Sequence, residues 1–170
     1  MTKSDVELRP FTGAQLDVAL VLRVLESQPA YALQSTGRPV EAADAVEFLF
    51  ESPDGTADDD KLPFGVWRGD ELVALLDVVR HWPRHGTLMI GLLLVDDRVQ
   101  RTGVGSAAFS ALLDLARTWP DVDRLRIGVL TTNTEAIPFW KSVGFVATGE
   151  IKPYNHGTFE AEVAIYEREL

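Results

Sequence analysis

Along the chain, apolar and polar positions alternate between the two-residue period of strands and the longer period of helices. Residues 5–12 alternate with the shorter period and predict a first strand. Residues 13–28 carry apolar side chains at helical spacing, and Pro29 discourages that helix from continuing. A second helix is predicted over 39–52, with Pro39 near its start.

The second half of the chain predicts a sheet covered by two further helices. Its elements are two strands within 62–82 around a turn at Gly69 and Asp70, a strand over 86–97, a helix that ends before Pro120, a strand over 124–133, a helix over 134–145, and closing strands over 145–151 and 160–170. The run from Leu88 to Val95 is almost entirely apolar, so we expect both faces of that strand to be covered. The order β-α-α-β-β-β-α-β-α-β-β predicts an α/β fold with a mixed sheet and helices on its faces.

Composition limits the class of protein. The 170 residues, 46% hydrophobic and 25% charged, predict a single domain over 1–170. The sequence contains no cysteine, which excludes disulfides, cysteine-ligated metal sites and a thiol nucleophile of its own. No apolar run reaches the roughly 18 residues of a membrane span, and residues 1–10 lack the apolar core of a secretory signal. We therefore expect a cytoplasmic protein without a membrane partner.

The formal net charge of −10 bears on the choice of partners. A general nucleic-acid-binding domain needs a basic surface, so the charge argues against nucleic acid. An acidic surface serves solubility, or it attracts a cationic substrate. The run Asp58–Asp60 could hold a cation, but its turn-rich setting within 52–61 favours a solvated loop. We expect no metal cofactor.

The most informative stretch lies at the start of the helix before Pro120. Gly103 and Gly105 stand two residues apart, directly before the apolar helical pattern. A helix N-terminus offers unpaired N–H groups and a partial positive charge, and glycine allows a ligand to approach the backbone closely. Gln100, Arg101 and Thr102 add hydrogen-bond donors to the same loop. The stretch therefore predicts a binding site for a pyrophosphate group.

A dinucleotide-binding fingerprint is the competing interpretation of these glycines. Gly103, Gly105 and Ala108 satisfy the pattern G-x-G-x-x-G/A. That pattern requires the first glycine directly after the first strand of a βαβ unit. Here the residues from Asp96 to Thr102 intervene, and several predicted strands come earlier. The position excludes a dinucleotide-binding domain.

Two segments resemble the GNAT acetyltransferase superfamily. Residues 100–105, Gln-Arg-Thr-Gly-Val-Gly, resemble its Q/R-x-x-G-x-G/A loop. Residues 131–145 are similar to its segment N-x-x-A-I-x-F-[YW]-x-x-x-G-F. The matching positions there are Asn133, Ala136, Ile137, Phe139, Trp140, Gly144 and Phe145. The predicted element order also resembles that of the family, so the resemblance covers nearly the whole chain.

The resemblance implies acetyl-CoA as acyl donor and a sheet that splays between strands 88–95 and 124–130. Backbone N–H groups from Arg101 to Ser106 would hold the pyrophosphate, and pantetheine would pair with the open strand edge at Leu93, Leu94 and Val95. Asn133 would hydrogen-bond to the pantetheine arm or to an ordered water, and Phe139 and Trp140 would pack against the thioester. The implied donor-binding residues are thus Leu93, Leu94, Val95, Gln100, Arg101, Thr102, Gly103, Val104, Gly105, Ser106, Asn133, Phe139 and Trp140.

The catalytic acid and base are less clear from the sequence. Many family members place a proton-donating tyrosine where this chain has Trp140, whose indole N–H is not a practical acid. Replacement acids are Tyr154 or His156, in a predicted loop over 152–158, or Tyr31, and we favour Tyr154.

The buried strand from Leu88 to Val95 carries no carboxylate, so Asp77 and His81 are the candidate bases, whereas His85 is predicted to be exposed.

The function implied is N-acetyl transfer from acetyl-CoA to a primary amine of a small molecule, peptide or protein. The alternative is an acyl-CoA-binding regulatory module that has lost catalysis, because the usual tyrosine and a carboxylate on the central strand are missing. The expected partners are acyl-CoA and an amine acceptor. The sequence leaves open which amine is used and whether the chain forms a homodimer.

Overall fold

The computed structural model describes residues 5–170. Within that range the strands are β1 (Glu7–Pro10), β2 (Lys61–Arg68), β3 (Glu71–Arg80), β4 (Thr87–Val95), β5 (Arg124–Leu130), β6 (Val146–His156) and β7 (Phe159–Glu169). The α-helices are α1 (Gln15–Glu26), α2 (Pro29–Thr36), α3 (Ala42–Phe50), α4 (Val104–Ala116) and α5 (Ile137–Ser142). These elements form a mixed α/β fold, as the sequence predicts.

The strands form one sheet in the order β1-β2-β3-β4-β5-β7-β6. Neighbouring strands pair antiparallel except β4 and β5, which run parallel with α4 as their crossover. A parallel neighbour requires such a crossover because the chain must return to the same end of the sheet.

The parallel pair of β4 and β5 is short. Its register runs from Thr87 opposite Arg124 to Ile90 opposite Ile127 and then stops, although both strands continue. Among residues 5–170, no strand therefore lies beside the edge of β4 from Gly91 to Val95 on that side. This separation confirms the splay expected between these two strands.

The segment between β1 and β2 contains one helix more than the sequence predicts. Pro29 ends α1, but it also occupies the first turn of α2, where its missing N–H group costs nothing. Gly37 ends α2 in a left-handed conformation with φ of 73°. The stretch predicted as a connection is therefore helix α2, and Pro39 precedes α3 without entering it.

The strand β6 is longer than predicted and corrects the placement of Tyr154 and His156. Both residues lie on β6, where Tyr154 pairs with Ala161 and His156 with Phe159 of β7. The hairpin turn is confined to Gly157 and Thr158, and Gly157 has a φ of 59°. Tyr154 is therefore fixed in a β-ladder and does not lie on a loop that folds over the site.

Helices cover both faces of the sheet. On one face α4 buries Val104, Ala108, Phe109, Leu112 and Ala116 in the larger apolar cluster. On the other face, a smaller cluster joins residues of α1 and α3 to β3 through Val21, Val24, Ala45, Phe48, Leu49, Leu72 and Leu75. Both faces of the central strands are thus covered, which explains their long apolar runs.

Asp96 fixes the connection between β4 and α4. Its buried carboxylate accepts hydrogen bonds from Arg23 Nη1 at 2.8 Å and from Arg98 Nη2 at 2.9 Å. The same carboxylate accepts from the backbone N–H of Arg98 at 3.0 Å, at the start of the 3₁₀ turn Asp97–Val99. Burial acts to raise the pKa of Asp96, but the hydrogen bonds and charges of Arg98 and Arg23 outweigh it and hold the pKa below its usual value.

We expect Asp96→Asn to lower the free energy of unfolding by about 2 kcal/mol near neutral pH, because a buried charge-assisted network loses its acceptor. Because the pKa of Asp96 is lower in the folded protein, its carboxylate stabilises the fold at pH values above the usual aspartate pKa, near 4. This stabilisation is lost as the pH falls below that value. The difference between wild type and variant should therefore shrink in urea unfolding below about pH 4. Asp114→Asn, at an exposed carboxylate, is the control and should leave stability almost unchanged. An unaltered unfolding free energy in Asp96→Asn would contradict the assigned role.

Candidate active site

The separation of β4 from β5 opens a cleft of about 770 Å³. Its walls are the ends of both strands, the loop before α4, and residues of α2 and α5. Of the sequence-predicted donor-binding residues, the cleft is lined by Leu93, Leu94, Val95, Gln100, Arg101, Gly103, Val104, Gly105, Ser106, Asn133, Phe139 and Trp140. Residues far apart in the chain thus meet at one opening.

The loop before α4 presents a row of unpaired backbone N–H groups. Gly103 is the N-cap of α4 with φ of 88°, and Arg101 also has a left-handed φ of 60°. The N–H groups of residues 101–106 donate no hydrogen bond to any other described residue. Several N–H groups at a helix start, beside a left-handed glycine, form an anion-binding concavity.

The side chains of Thr102 and Val104 point away from the cleft. Thr102 Oγ1 donates to the carbonyl of Val99 at 2.6 Å, and Thr102 is absent from the described lining of the cleft. The Val104 side chain is buried in the core beneath α4. Thr102 therefore stabilises the loop, and Val104 offers the cleft its backbone.

The open edge of β4 is held in place from α1 and α2. Gln28, between these helices, donates from Nε2 to the carbonyl of Val95 at 2.8 Å. On the other side of β4, Leu93 pairs with Leu76 and Leu94 with Leu75 of β3. The edge facing β5 is thus held in place by β3 and Gln28, and within residues 5–170 it has no strand pairing from Gly91 onward.

Asn133 and the aromatic residues of α5 form the opposite wall. Asn133 precedes a 3₁₀ turn, but its side chain makes no capping hydrogen bond there. Trp140 is buried and packs edge-on against Phe109 and Phe145, at centroid distances of 6.3 and 5.3 Å. Phe139 is half-buried and contacts Trp140 at 5.0 Å. Trp140 is therefore a core residue that reaches the cleft wall, and Phe139 is the more accessible ring.

A second cavity of about 210 Å³ adjoins this cleft. The two share the lining residues Gln28, Tyr31, Gly91, Leu92 and Leu94. Its other walls come from α2, α3, β2, β3 and β6, so elements from both ends of the chain enclose it. Of the residues that line this cavity, sequence analysis identifies Asp77, Tyr154, Tyr31 and His156. It misses Lys61 and the carboxylates of α3. The α3 carboxylates have the spacing of any exposed helix face, so the sequence gives no sign that they line a cavity.

Asp77 lies at the wall between the two cavities. The ladder shifts register between Asp77 and Val78, which leaves Gly91 of β4 without a partner. A Cβ atom at Gly91 would lie 2.9 Å from Asp77 Oδ2, so glycine makes room for the carboxylate. Lys61 Nζ donates to Asp77 Oδ1 at 2.6 Å. One carboxylate oxygen is thus held by Lys61, and the other lies over the open backbone of Gly91.

The pKa of Asp77 reflects both neighbours. The side chains of Asp77 and Lys61 are only 16% and 8% exposed. Burial raises the pKa of Asp77 above its ordinary value, while the charge and hydrogen bond of Lys61 oppose the rise. A carboxylate of raised pKa accepts a proton more readily than an exposed one.

Two tyrosines face the second cavity. Tyr31 is half-buried, and the protein atoms packed around its hydroxyl raise its pKa to about 12, with Tyr154 adding to the effect. Burial raises the pKa of Tyr154, and the nearby carboxylates of Glu47 and Asp44 raise it further. Both phenols therefore remain protonated over the physiological range.

Asp44, Glu47 and His156 form a cluster in the lining of this cavity. Potential ligand atoms of these residues lie within 4.8 Å of one another, a geometry that could accept a metal ion. Asp44, however, receives Arg38 Nη1 and Nη2 on its two oxygens at 2.9 and 2.8 Å. His156 Nε2 lies 3.0 Å from Glu47 Oε2. The arginine already supplies the positive charge opposite Asp44.

His81 and the acidic run at Asp58–Asp60 lie outside the described linings of both cavities. His81 precedes the turn into β4, where its Nδ1 accepts from the Gly86 N–H at 3.2 Å and its ring lies 4.4 Å from the exposed His85. His81 is absent from the described lining of both cavities. Asp60 pairs with Arg80 at 3.1 Å. His81 therefore stabilises a turn, and Asp60 is matched by an arginine.

Comparison with known proteins agrees with this geometry. A model of the acetyltransferase (GNAT) family matches residues 27–145, more than half of the chain. An acetyltransferase from Thermus thermophilus superposes with a TM-score of 0.73 at 25% identity, covering 100% of both chains. Ard1 from Thermoplasma volcanium superposes with a TM-score of 0.68 at 25% identity over 98% of each chain. No curated protein sequence gives a significant match.

A third solved structure contains an acyl donor. A GNAT family acetyltransferase from Elizabethkingia anophelis, with acetyl-CoA bound, superposes with a TM-score of 0.65 at 15% identity, covering 99% of this chain and 100% of that one. The family match defines the class of the protein as an acetyltransferase. The chain belongs to the GNAT acetyltransferase family, whose members transfer an acetyl group from acetyl-CoA. Within residues 5–170, no helix combines the length and apolar character needed to cross a bilayer.

The loop before α4 allows a direct test of anion binding. A Cβ atom at Gly105 would lie 3.4 Å from Phe139 Cε2 and 3.7 Å from Val95 Cγ2, so alanine fits, whereas valine crowds the cleft floor. We expect Gly105→Val to weaken coenzyme A binding about tenfold, or about 1.4 kcal/mol, in calorimetry.

Ser110→Val, on the exposed side of the same helix, is the control for adding a β-branched residue and should leave affinity unchanged. Circular dichroism verifies that both variants fold. A folded Gly105→Val protein with wild-type affinity would contradict the pyrophosphate site.

Proposed function

We propose that this protein transfers the acetyl group of acetyl-CoA to a primary amine that enters through the second cavity. The observation that carries the proposal is the junction of the two cavities at Gly91, where the free oxygen of Asp77 lies over the open strand. Acyl donor and amine would approach that point from opposite sides. Family membership supports the donor, and the acidic second cavity supports the amine.

The donor would be held by groups that form no other hydrogen bond within residues 5–170. The N–H groups of residues 101–106 would receive the pyrophosphate oxygens, and Gln100 and Arg101 would add side-chain donors. The free edge of Leu93–Val95 would pair with the amides of pantetheine as an added strand does. Asn133, whose amide has no capping role, would hydrogen-bond to the same arm, and Phe139 would contact the thioester end.

The reaction needs removal of a proton more than covalent assistance. An alkylamine with a pKa near 10.4 is almost entirely protonated at neutral pH and cannot attack while it is an ammonium. Asp77 Oδ2 would accept that proton, directly or through a water. The neutral nitrogen then forms a bond to the carbonyl carbon, and backbone N–H groups at the β4 edge stabilise the resulting oxyanion. The carbon–sulfur bond breaks as the oxyanion collapses, and the nitrogen loses its second proton to solvent. The products are the N-acetyl amine and coenzyme A.

The departing sulfur would receive its proton from Tyr154. Trp140 occupies the position where many members of the family have a tyrosine, and its indole is buried among aromatic rings. Tyr154 lies on β6 and reaches the second cavity with its hydroxyl protonated. Tyr31, at the junction of both cavities, is the neighbouring phenol and provides a matched comparison.

We expect Asp77→Asn to lower kcat by about 10²- to 10⁴-fold, because the amide cannot accept the proton. Thiol release at saturating acetyl-CoA measures the rate for a panel of amines, and calorimetry should give unchanged affinity for acetyl-CoA. In Lys61→Met the burial of Asp77 is unopposed, so the pKa of Asp77 rises and the acidic limb of the kcat/KM profile moves to higher pH.

Lys61→Arg is the matched control, since it keeps the positive charge and should keep the limb near its wild-type position. A kcat for Asp77→Asn within twofold of wild type would remove Asp77 as base. Binding of acetyl-CoA without thiol release from any amine would instead indicate a binding module.

Tyr154→Phe removes a single hydroxyl from the second cavity. If Tyr154 is the proton donor, kcat should fall about 10²-fold with little change in acetyl-CoA affinity. Steady-state kinetics at saturating donor compares Tyr154→Phe with Tyr31→Phe, for which we expect a smaller loss of kcat. The opposite ranking would transfer the acid role to Tyr31, and two near-wild-type rates would show that the thiolate departs unassisted.

A further inference from the structure

The charges that line the second cavity are unequally paired. Its lining includes the carboxylates of Asp44, Glu47, Glu51 and Asp77. Among the described lining residues, Lys61 is the one lysine or arginine. Lys61 is bound to Asp77, and both oxygens of Asp44 are bound to Arg38. Neither Glu47 nor Glu51 forms a direct ion pair with a lysine or arginine of residues 5–170, although the charge of Arg38 also acts on Glu47.

These two glutamates lie together at one end of α3. They are four residues apart, so their side chains project from the same side of the helix toward the cavity. Glu47 Oε2 lies 3.0 Å from His156 Nε2, while Glu51, the C-cap of α3, makes no side-chain hydrogen bond or ion pair with another residue of the described range. A helix C-terminus carries partial negative charge, which adds to the charge of the two carboxylates. This end of the cavity favours a cation.

The cavity already holds one ammonium group of the chain itself. Lys61 Nζ lies 5.8 Å from the centroid of the Phe48 ring while it donates to Asp77. The same walls therefore accommodate an alkylammonium, with an aromatic face for its charge and apolar side chains for its methylenes. Leu25, Leu92 and Val40 provide such apolar surface in the same lining as Gly91 and the α3 glutamates.

We propose that the acceptor is an aliphatic primary amine whose far end carries a second positive charge, bound by Glu47 and Glu51. The inference rests on the proposed function, because it places the reacting amine at Asp77 and Gly91. The distal cation then lies at the C-terminal end of α3, with the connecting methylenes along the apolar wall. Glu47 and Glu51 are specificity-determining residues in this arrangement and take no part in the chemistry.

The test uses four amines with five carbons each that differ at the distal end. These are 1,5-diaminopentane, 5-aminopentan-1-ol, pentylamine and 5-aminopentanoate, which present a cation, a hydroxyl, a methyl and an anion. Thiol release gives kcat/KM for each, and calorimetry with coenzyme A present gives each affinity. Chelator in all samples prevents a metal held by Glu47 and His156 from producing the ranking.

We expect both the kcat/KM and the affinity of the diamine to exceed those of the amino alcohol by a ratio of about ten or more, and 5-aminopentanoate to rank last in both. In Glu47→Gln, in Glu51→Gln and most strongly in the double variant, that ratio should fall to within about threefold. Glu26→Gln removes a glutamate that is exposed on α1 and absent from both cavity linings, and it should keep the wild-type ratio.

Two different failures can be distinguished. If the amino alcohol or pentylamine binds and reacts as well as the diamine, the second positive charge is not recognised and the inference is wrong, while amine acetylation stands. If thiol is not released with any acceptor, the proposed function fails, and the calorimetric ranking still decides whether the cavity selects a dication. Equal affinities in wild type and double variant, or no binding of any of the four amines, would overturn the inference.

Discussion

The short parallel ladder between β4 and β5 is the constraint on which the site depends. Four residue pairs hold the strands together, and beyond Ile90 and Ile127 they diverge. The divergence leaves the β4 edge without a strand partner, makes room for an extended ligand, and directs the start of α4 toward the opening. Had the ladder continued, its hydrogen bonds would have closed the cleft, because a paired strand has no groups left for a ligand.

The bulge at Gly91 is the second consequence of how β4 is paired. The shift leaves Gly91 opposite the Asp77 side chain, where any residue other than glycine would place its Cβ atom 2.9 Å from Asp77 Oδ2. Glycine at this position lets a buried carboxylate face the second cavity beside the shared residue Gly91, and Lys61 prevents that carboxylate from being an uncompensated buried charge. Backbone geometry and electrostatics thus act together at the point where donor and acceptor would meet.

Opposite ends of two helices give the two cavities different electrostatic character. The N-terminus of α4 presents unpaired N–H groups to the larger cleft, which suits an anionic pyrophosphate. The C-terminus of α3 presents Glu47 and Glu51 to the smaller cavity, which suits a cation. The net charge of −10 is therefore not only a property of the solvated surface, since part of it lies inside a cavity.

The sequence by itself determined the features that depend on local chemistry. The two-residue and helical periods predicted the strands and most of the helices. Gly103 and Gly105 marked the loop before α4 as a candidate site, because Gly103 has a left-handed backbone that favours glycine and Gly105 adds no Cβ atom beside the cleft. Pro29 was harder to interpret, since the same ring that ends α1 also begins α2. The length of β6 was missed because Pro153 and Gly157 are typical turn residues, and the pairing with β7 overrides that local preference.

Only the tertiary structure decided which side chains share the second cavity. Lys61, Asp77, Gly91, Glu47 and Tyr154 come from four strands and a helix, and nothing in their spacing along the chain predicts that they meet. Asp77 and His81 were equivalent candidates in the sequence, but Asp77 faces Gly91 and His81 hydrogen-bonds within a turn. The reason is physical: local backbone preferences act between residues near in sequence, whereas burial, charge pairing and cavity shape depend on residues near in space.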